Sequence, residues 1–158
     1  MPETSIEGIL RTESIGSMSL PTVSSRPSTT ELRDIIGIMK ERPMAAVVIT
    51  EGDKVVGIFT ERDVLNRIVG LALNDNLPIE QVMTKDPLTL TPADRLADAI
   101  RLMTDRGYRH IPLVDDGGRY VGMISARDII GFIAEHYPQE VFNLPHELDR
   151  VPRHPEGG

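Results

Sequence analysis

The sequence predicts an α+β protein made of two tandem β-α-β-β-α repeats, packed sheet to sheet with pseudo-two-fold symmetry. Three observations predict it. The run Lys54-Val55-Val56-Gly57-Ile58-Phe59-Thr60-Glu61-Arg62-Asp63-Val64 returns 65 positions later as Arg119-Tyr120-Val121-Gly122-Met123-Ile124-Ser125-Ala126-Arg127-Asp128-Ile129. Upstream of each copy, apolar residues fall at helical spacing, with Ile35, Ile36 and Met39 matched by Ala99, Ile100 and Met103. Between helix and signature lie Ala45-Ala46-Val47-Val48-Ile49 and Ile111-Pro112-Leu113-Val114, each leading to a Gly- and Asp-rich turn, the pattern of a hairpin. One unit of about 60 residues has a single sheet face to bury and too little core to stand alone, so two copies facing each other are expected.

The elements follow in order. Ile6-Glu7-Gly8-Ile9-Leu10 resembles Ile79-Glu80-Gln81-Val82-Met83 and is read as the entry to each repeat. Residues 12–30 then form a longer, more Ser-rich stretch than residues 84–94, so the first strand of the first repeat is not placed. In the second repeat, Pro87-Leu88-Thr89-Leu90 is expected to be a short strand. Thr91-Pro92-Ala93-Asp94 reads as a helix start, with a Thr cap and Pro in the first helical position. Leu96, Ala99, Ile100 and Met103 share one face of that helix, and Arg106-Gly107 ends it. Asp115-Asp116-Gly117-Gly118 supplies residues that tolerate positive φ in the hairpin turn, as does Glu51-Gly52-Asp53 in the first repeat. Residues 120–124 return as a strand, and Ser125 caps a closing helix carrying Ile129, Ile130 and Ile133. In the first repeat the helix begun near Arg62 is expected to continue through Val69-Gly70-Leu71-Ala72-Leu73, with a turn from Asn74 to Pro78. The expected organisation is repeat 1 over 5–73, repeat 2 over 78–136, and a tail over 137–158. In that tail Pro138, Pro145, Pro152 and Pro155 prevent a long helix.

Composition removes whole classes of function. Seventeen Lys and Arg against twenty-four Asp and Glu leave a net charge of −7, which opposes a general nucleic-acid binder. With no Cys there are no disulfides, thiolate metal sites, Cys nucleophiles or iron–sulfur clusters. No run approaches the roughly 20 apolar residues of a membrane span, and the N-terminus is acidic and polar. A cytoplasmic protein without membrane contact is expected. Neither a Gly-x-Ser-x-Gly elbow nor a phosphate loop ending in Gly-Lys-Ser/Thr is present, so no enzymatic activity is expected. His136, His146 and His154, with Glu135, Glu140 and Glu147, read as solvated polar residues rather than metal ligands.

The doubled signature resembles a CBS-domain pair, the tandem cystathionine-β-synthase-type module, in its stand-alone bacterial form. The likeness spans roughly residues 5–135. It rests on Gly57, Thr60 and Asp63 in register with Gly122, Ser125 and Asp128, and on the segment Arg109-His110-Ile111-Pro112. The resemblance implies a ligand sensor that binds AMP, ADP, ATP or S-adenosylmethionine in clefts between the repeats, with Mg²⁺ left open. It implies that binding switches an effector protein reached in trans. It also implies a homodimer, to which Ile68, Leu71 and Leu73 are suited.

Local chemistry agrees with this expectation. Thr60 and Ser125 stand at helix N-caps, beside free N–H groups and the positive helix end, where phosphate is favoured. Asp63 and Asp128, three residues on, can accept from both hydroxyls of a ribose. Arg62 and Arg127 can pair with phosphate, and Arg109 and His110 supply further cations. The resemblance extends the nucleotide-binding set to Lys85, Pro87, Ile111 and Pro112, and in the first repeat to Met44, Ala45 and Ala46. By local physics alone, Thr60 and Ser125 are also ordinary N-caps with favourable first-turn acids, and His110 is a packed core histidine. Met44-Ala45-Ala46-Val47 is read as standing in the place of Arg109-His110-Ile111-Pro112. The second-repeat pocket is therefore expected to be the better phosphate site. Two other functions fit the sequence less well: a ligand-independent dimerisation or protein-interaction module, and a metal- or nucleotide-dependent hydrolase.

Overall fold

In the computed structural model, which describes residues 5–20, 23–41, 45–69 and 74–136, the chain forms two β-α-β-β-α units behind a short N-terminal helix. That helix, α1 (Ile6–Thr12), is capped by Ser5, whose hydroxyl accepts from the Gly8 N–H. The first unit contains β1 (Arg26–Pro27), α2 (Leu32–Glu41), β2 (Ala46–Glu51), β3 (Lys54–Thr60) and α3 (Glu61–Asp63), which passes into a π turn over Val64–Ile68. The second contains β4 (Thr84–Lys85), α4 (Leu96–Arg106), β5 (His110–Val114), β6 (Tyr120–Ser125) and α5 (Ala126–His136). β1 lies parallel to β2, and β2 and β3 form an antiparallel hairpin. β4 then adds to the far edge of β3, giving the order β1-β2-β3-β4. β5 and β6 form the second hairpin, and a lone parallel bridge from Leu90 to Leu113 stands where β1 stands in the first unit.

Each unit completes the other's core. Leu32, Ile35, Val47, Ile49 and Phe59 of the first unit pack with Ile79, Val82 and Met83, which come from the start of the second. Leu96, Ala99, Ile111, Leu113, Ile124, Ile129 and Phe132 pack with Ile15, and with Ile9, Leu10, Met18 and Leu20 around it, which come from the start of the first. A third cluster joins the hairpins face to face, with Ala46, Val48 and Ile58 against Met123, flanked by Val55 and Tyr120. The turns interlock at one end of this interface. There the Tyr120 N–H donates to the Asp53 carbonyl (2.7 Å), and the Lys54 ammonium donates to the Gly117 carbonyl (2.5 Å).

The exchange is made by backbone hydrogen bonds that repeat with an offset of 64. The Ile15 and Gly16 N–H groups donate to the Asp94 and Pro92 carbonyls (both 2.8 Å). The Ile79 and Glu80 N–H groups donate to the Thr30 and Ser28 carbonyls (2.7 and 3.2 Å). A one-turn 3₁₀ helix follows in each case, over Ile15–Ser17 and Ile79–Gln81. The structural partner of Ile79-Glu80-Gln81 is therefore Ile15-Gly16-Ser17, not Ile6-Glu7-Gly8. The first repeat has no long insertion; α1 is an added helix, and the first strand falls at Arg26–Pro27.

The same bonds correct the expected start of α4. With the Pro92 and Asp94 carbonyls engaged by residues 15 and 16, Thr91–Asp94 cannot open the helix. Instead this segment forms its own turn, with the Thr91 N–H donating to Asp94 Oδ2 (2.8 Å). The helix begins at Leu96, where Asp98 Oδ2 accepts from the Arg95 N–H (2.9 Å). Gly107 ends it with φ of 72°, a left-handed conformation that favours glycine. Of the strand expected over 87–90, only Leu90 pairs. The helix begun near Arg62 stops at Ile68, because Val69 turns extended while its N–H closes the π turn onto the Val64 carbonyl (3.0 Å). Leu71 and Leu73 lie outside the described residues, as does the tail from 137 onward; Ile68 packs beside the first unit's core.

Candidate functional site

Both signatures fold into the same reciprocal cap. In the first, the Thr60 N–H and hydroxyl donate to Asp63 Oδ2 (2.9 and 3.2 Å), and the Thr60 hydroxyl accepts from the Asp63 N–H (3.3 Å). In the second, the Ser125 N–H and hydroxyl donate to Asp128 Oδ2 (both 2.8 Å), and the hydroxyl accepts from the Asp128 N–H (3.1 Å). A hydroxyl residue followed three positions later by an acid forms this box because each satisfies an orphan donor of the other's backbone.

Beyond the cap the two sites diverge. Asp63 is buried, and its second oxygen accepts from the Thr84 hydroxyl (3.0 Å) and lies 3.4 Å from Arg67 Nε. Asp128 is half-exposed, and among the described residues nothing donates to its Oδ1. It lines a cleft of about 280 Å³ with Met18, Ser19, Arg127, Gly131, Phe132 and Glu135. A larger cleft, about 350 Å³, lies elsewhere, along β4 and the edge of the first sheet; Lys85 lines it with Glu51, Glu80 and Asp86.

The strand before each cap aligns with equal regularity. Ala46 pairs with Thr60 and His110 pairs with Ser125. The Glu61 N–H donates to the Ala45 carbonyl (3.0 Å), and the Ala126 N–H donates to the Arg109 carbonyl (2.9 Å). Ala45 thus corresponds to Arg109 and Ala46 to His110, one residue away from the expected match of Met44 with Arg109. Met44 itself lies outside the described residues. The hairpin turn of the second repeat is one residue longer, which changes the offset from 64 along β2 and β5 to 65 along β3 and β6.

The remaining predicted residues scatter. Ala46 and Pro112 are fully buried, Ala46 in the cluster between the hairpins, and Ile111 points into the second core. Pro87 is half-buried and Arg109 exposed. Arg62 turns away from its own cap and donates to the Gly107 carbonyl at the end of α4 (3.3 Å). His110 is half-buried, and burial lowers its pKa below the usual histidine value. The Asp128 and Glu61 carboxylates pull the other way, while Arg109 adds to the lowering. Glu61, whose carboxylate in the first repeat acts electrostatically on His110, was not in the expected set. Nor were Thr84 and Arg67, although Arg67 stands four residues after Asp63, the spacing of a helical ion pair. The signature glycines also differ. A methyl group on Gly57 would strike Met83 Sδ and sit 2.8 Å from its Cε, whereas Gly122 has open space.

The CBS domain matches this chain twice, over residues 13–70 and 79–135. The chain belongs to the CBS-domain family. Its two copies are the two units described above, and solved structures of the same fold include the CBS domain protein PAE2072 of Pyrobaculum aerophilum, complexed with AMP. That protein superimposes with a TM-score of 0.68 at 24% identity, over 77% of this chain and 98% of its own. An uncharacterized protein of Methanopyrus kandleri is 31% identical over 77% of this CBS pair and 63% of its own length. The inosine-5'-monophosphate dehydrogenase of Korarchaeum cryptofilum is 31% identical over 84% of this chain and only 26% of the dehydrogenase. The CBS pair therefore spans under two thirds of either relative. Among the described residues, no helix is long and apolar enough to cross a membrane, and no group of three or more His, Asp and Glu could hold a metal ion.

Proposed function

We propose that this CBS pair is a regulatory module that binds an adenine nucleotide in the cleft beside Ser125, Arg127 and Asp128. One observation carries the reading: the Asp128 carboxylate. Ser125 fixes its orientation through Oδ2, and Oδ1 is left to accept from a ligand at the cleft. A carboxylate held in that way suits ribose hydroxyls, and Arg127 beside it suits a phosphate. The AMP complex of the Pyrobaculum protein supports the ligand class.

His110 belongs to the same site, one strand away from Ser125 and within the field of Asp128. Nucleotide phosphate near His110 and Arg109 adds negative charge that favours the protonated imidazole. The Glu61 carboxylate of the first repeat acts electrostatically on His110, so charge brought by a ligand at this site is felt across the two repeats. The resulting shift between two arrangements passes to a partner in trans, in the cytoplasm, by at most the ligand's differential affinity for them. Leu65 and Ile130 occupy equivalent positions of the two repeats and are 68% and 67% exposed, which supports a homodimer formed through these faces.

Calorimetric titration with AMP, ADP, ATP and S-adenosylmethionine tests the reading. Saturable binding by the wild type is expected, lost in Asp128→Ala and retained in Asp63→Ala. A folded protein that binds none of the four overturns it and leaves the exposed apolar faces, and a protein-interaction module, as the function.

A further inference from the structure

The two Asp carboxylates of this CBS pair differ in what already holds them. Asp63 has both oxygens engaged within the protein: Oδ2 by Thr60, and Oδ1 by the Thr84 hydroxyl at 3.0 Å and Arg67 Nε at 3.4 Å. Arg67 is itself anchored, since its Nη1 donates to the Met83 carbonyl (2.8 Å) and the Val82 carbonyl (3.4 Å). At the equivalent position of the second repeat stands Phe132, which is buried, stacks on His136 and offers no donor.

We propose that Arg67 is a built-in partner of the first-repeat Asp, engaging Asp63 where a ribose would bind and holding the chain to one nucleotide. The inference rests on the nucleotide reading of the Asp128 site. Its physical basis is competition for lone pairs. A ribose hydroxyl is a neutral donor, whereas Arg67 is a cation on the same helical face, four residues on, in the favourable acid-before-base order. To enter, a nucleotide must displace both the guanidinium and the Thr84 hydroxyl. The ring of Phe132 sets no such barrier at Asp128. Because Arg67 also grips the carbonyls of residues 82 and 83, the latch ties the first repeat's helix to the entry segment of the second. Opening it therefore loosens the contact between the repeats as well as the pocket.

The test is AMP stoichiometry by calorimetry on the full chain, comparing wild type, Asp128→Asn, Arg67→Met and the double variant Arg67→Met/Asp128→Asn. Methionine keeps the aliphatic stem and removes the charge. Expected are one AMP per chain in the wild type, none in Asp128→Asn, two in Arg67→Met and one in the double variant. Adding Asp63→Asn to Arg67→Met should return it to one. If the wild type binds one AMP and the double variant none, the latch is wrong while the nucleotide reading stands. Two AMP in the wild type also overturns the latch. If the wild type binds none, the Asp128 reading fails; binding gained in Arg67→Met then supports the latch, and its absence overturns that too. Should Arg67→Met fail to fold by circular dichroism, Arg67→Gln/Asp128→Asn carries the same comparison, since glutamine also removes the charge; binding regained is expected, and its absence counts against the latch.

Discussion

The Tyr120 phenol donates to the Val23 carbonyl at 2.9 Å, spanning the boundary between the two repeats. Tyr120 also flanks the cluster between the hairpins, and its burial pushes the phenol pKa up to about 12. The bond links the strand leading into the second signature to the segment ahead of β1. Tyr120→Phe keeps the ring and removes the bond, leaving the Val23 carbonyl without this donor; a loss of ~1 kcal/mol in urea unfolding is expected.

The same phenol sets an alkaline limit. A group whose pKa is higher folded than unfolded stabilises the fold fully below its unfolded value, here near 10, and that contribution is lost as pH rises toward 12. Melting temperatures should therefore fall between about pH 10 and 12 more steeply in the wild type than in Tyr120→Phe. Equal slopes would show that Tyr120 ionises as freely folded as unfolded.

His110 sets the acid counterpart. Its pKa is lowered by burial, partly countered by Asp128 and Glu61, so the folded state prefers the neutral ring. The associated stability is present above the unfolded value of 6.5 and is lost as pH falls through the lower folded value. An imidazole titration followed by NMR should place His110 below 6.5, and saturating AMP should move it upward. His110→Gln should flatten the dependence of stability on pH in that window.

The two signature glycines should respond oppositely to a methyl group. In Gly57→Ala the new Cβ collides with buried Met83, and a loss of ~1–3 kcal/mol is expected from overpacking. Gly122→Ala meets nothing within 4 Å and should be neutral, or stabilising by up to ~1 kcal/mol through reduced chain entropy. Denaturant midpoints of the two variants decide this.

Asp63 and Asp128 should likewise separate in stability. Removing the buried Asp63 carboxylate strands Thr84 and Arg67 as well as the cap, an expected cost of ~2–4 kcal/mol; Asp128→Ala loses only the cap, ~1 kcal/mol. Urea unfolding that gives equal costs would mean that Arg67 and Thr84 contribute nothing through Asp63.

The duplication, both hairpins, Gly107 as a helix stop and the two Thr/Ser-Asp caps were legible in the sequence, because each is encoded within a dozen residues. What misled the reading was non-local. Ile6-Glu7-Gly8 mimics Ile79-Glu80-Gln81 in letters, yet Ile15-Gly16-Ser17 takes the matching place because its N–H groups meet carbonyls of the other repeat. The slip of one residue between Ala45 and Arg109 came from carrying the signature's offset back across a hairpin turn that is one residue longer in the second repeat. In a strand such a slip exchanges the two faces, so it decides whether Ala46 or Ala45 is the counterpart of His110. The inequality of the sites lies in Arg67 and Phe132, outside the signature itself.

The reciprocal docking of residues 13–20 and 77–83 makes the effect of damage cross over. Cutting the chain short at residue 20 would leave the first repeat's own core intact and open the second, where Ile15 and Met18 belong. Severing the connector between the repeats removes no core residue from either, but it turns an intramolecular pairing into a bimolecular one. Two such fragments should reassemble when mixed and stay unfolded apart, and the intact chain should unfold in a single transition. In a module wired in this way neither repeat is a folding unit by itself, because each borrows part of its interior from the other.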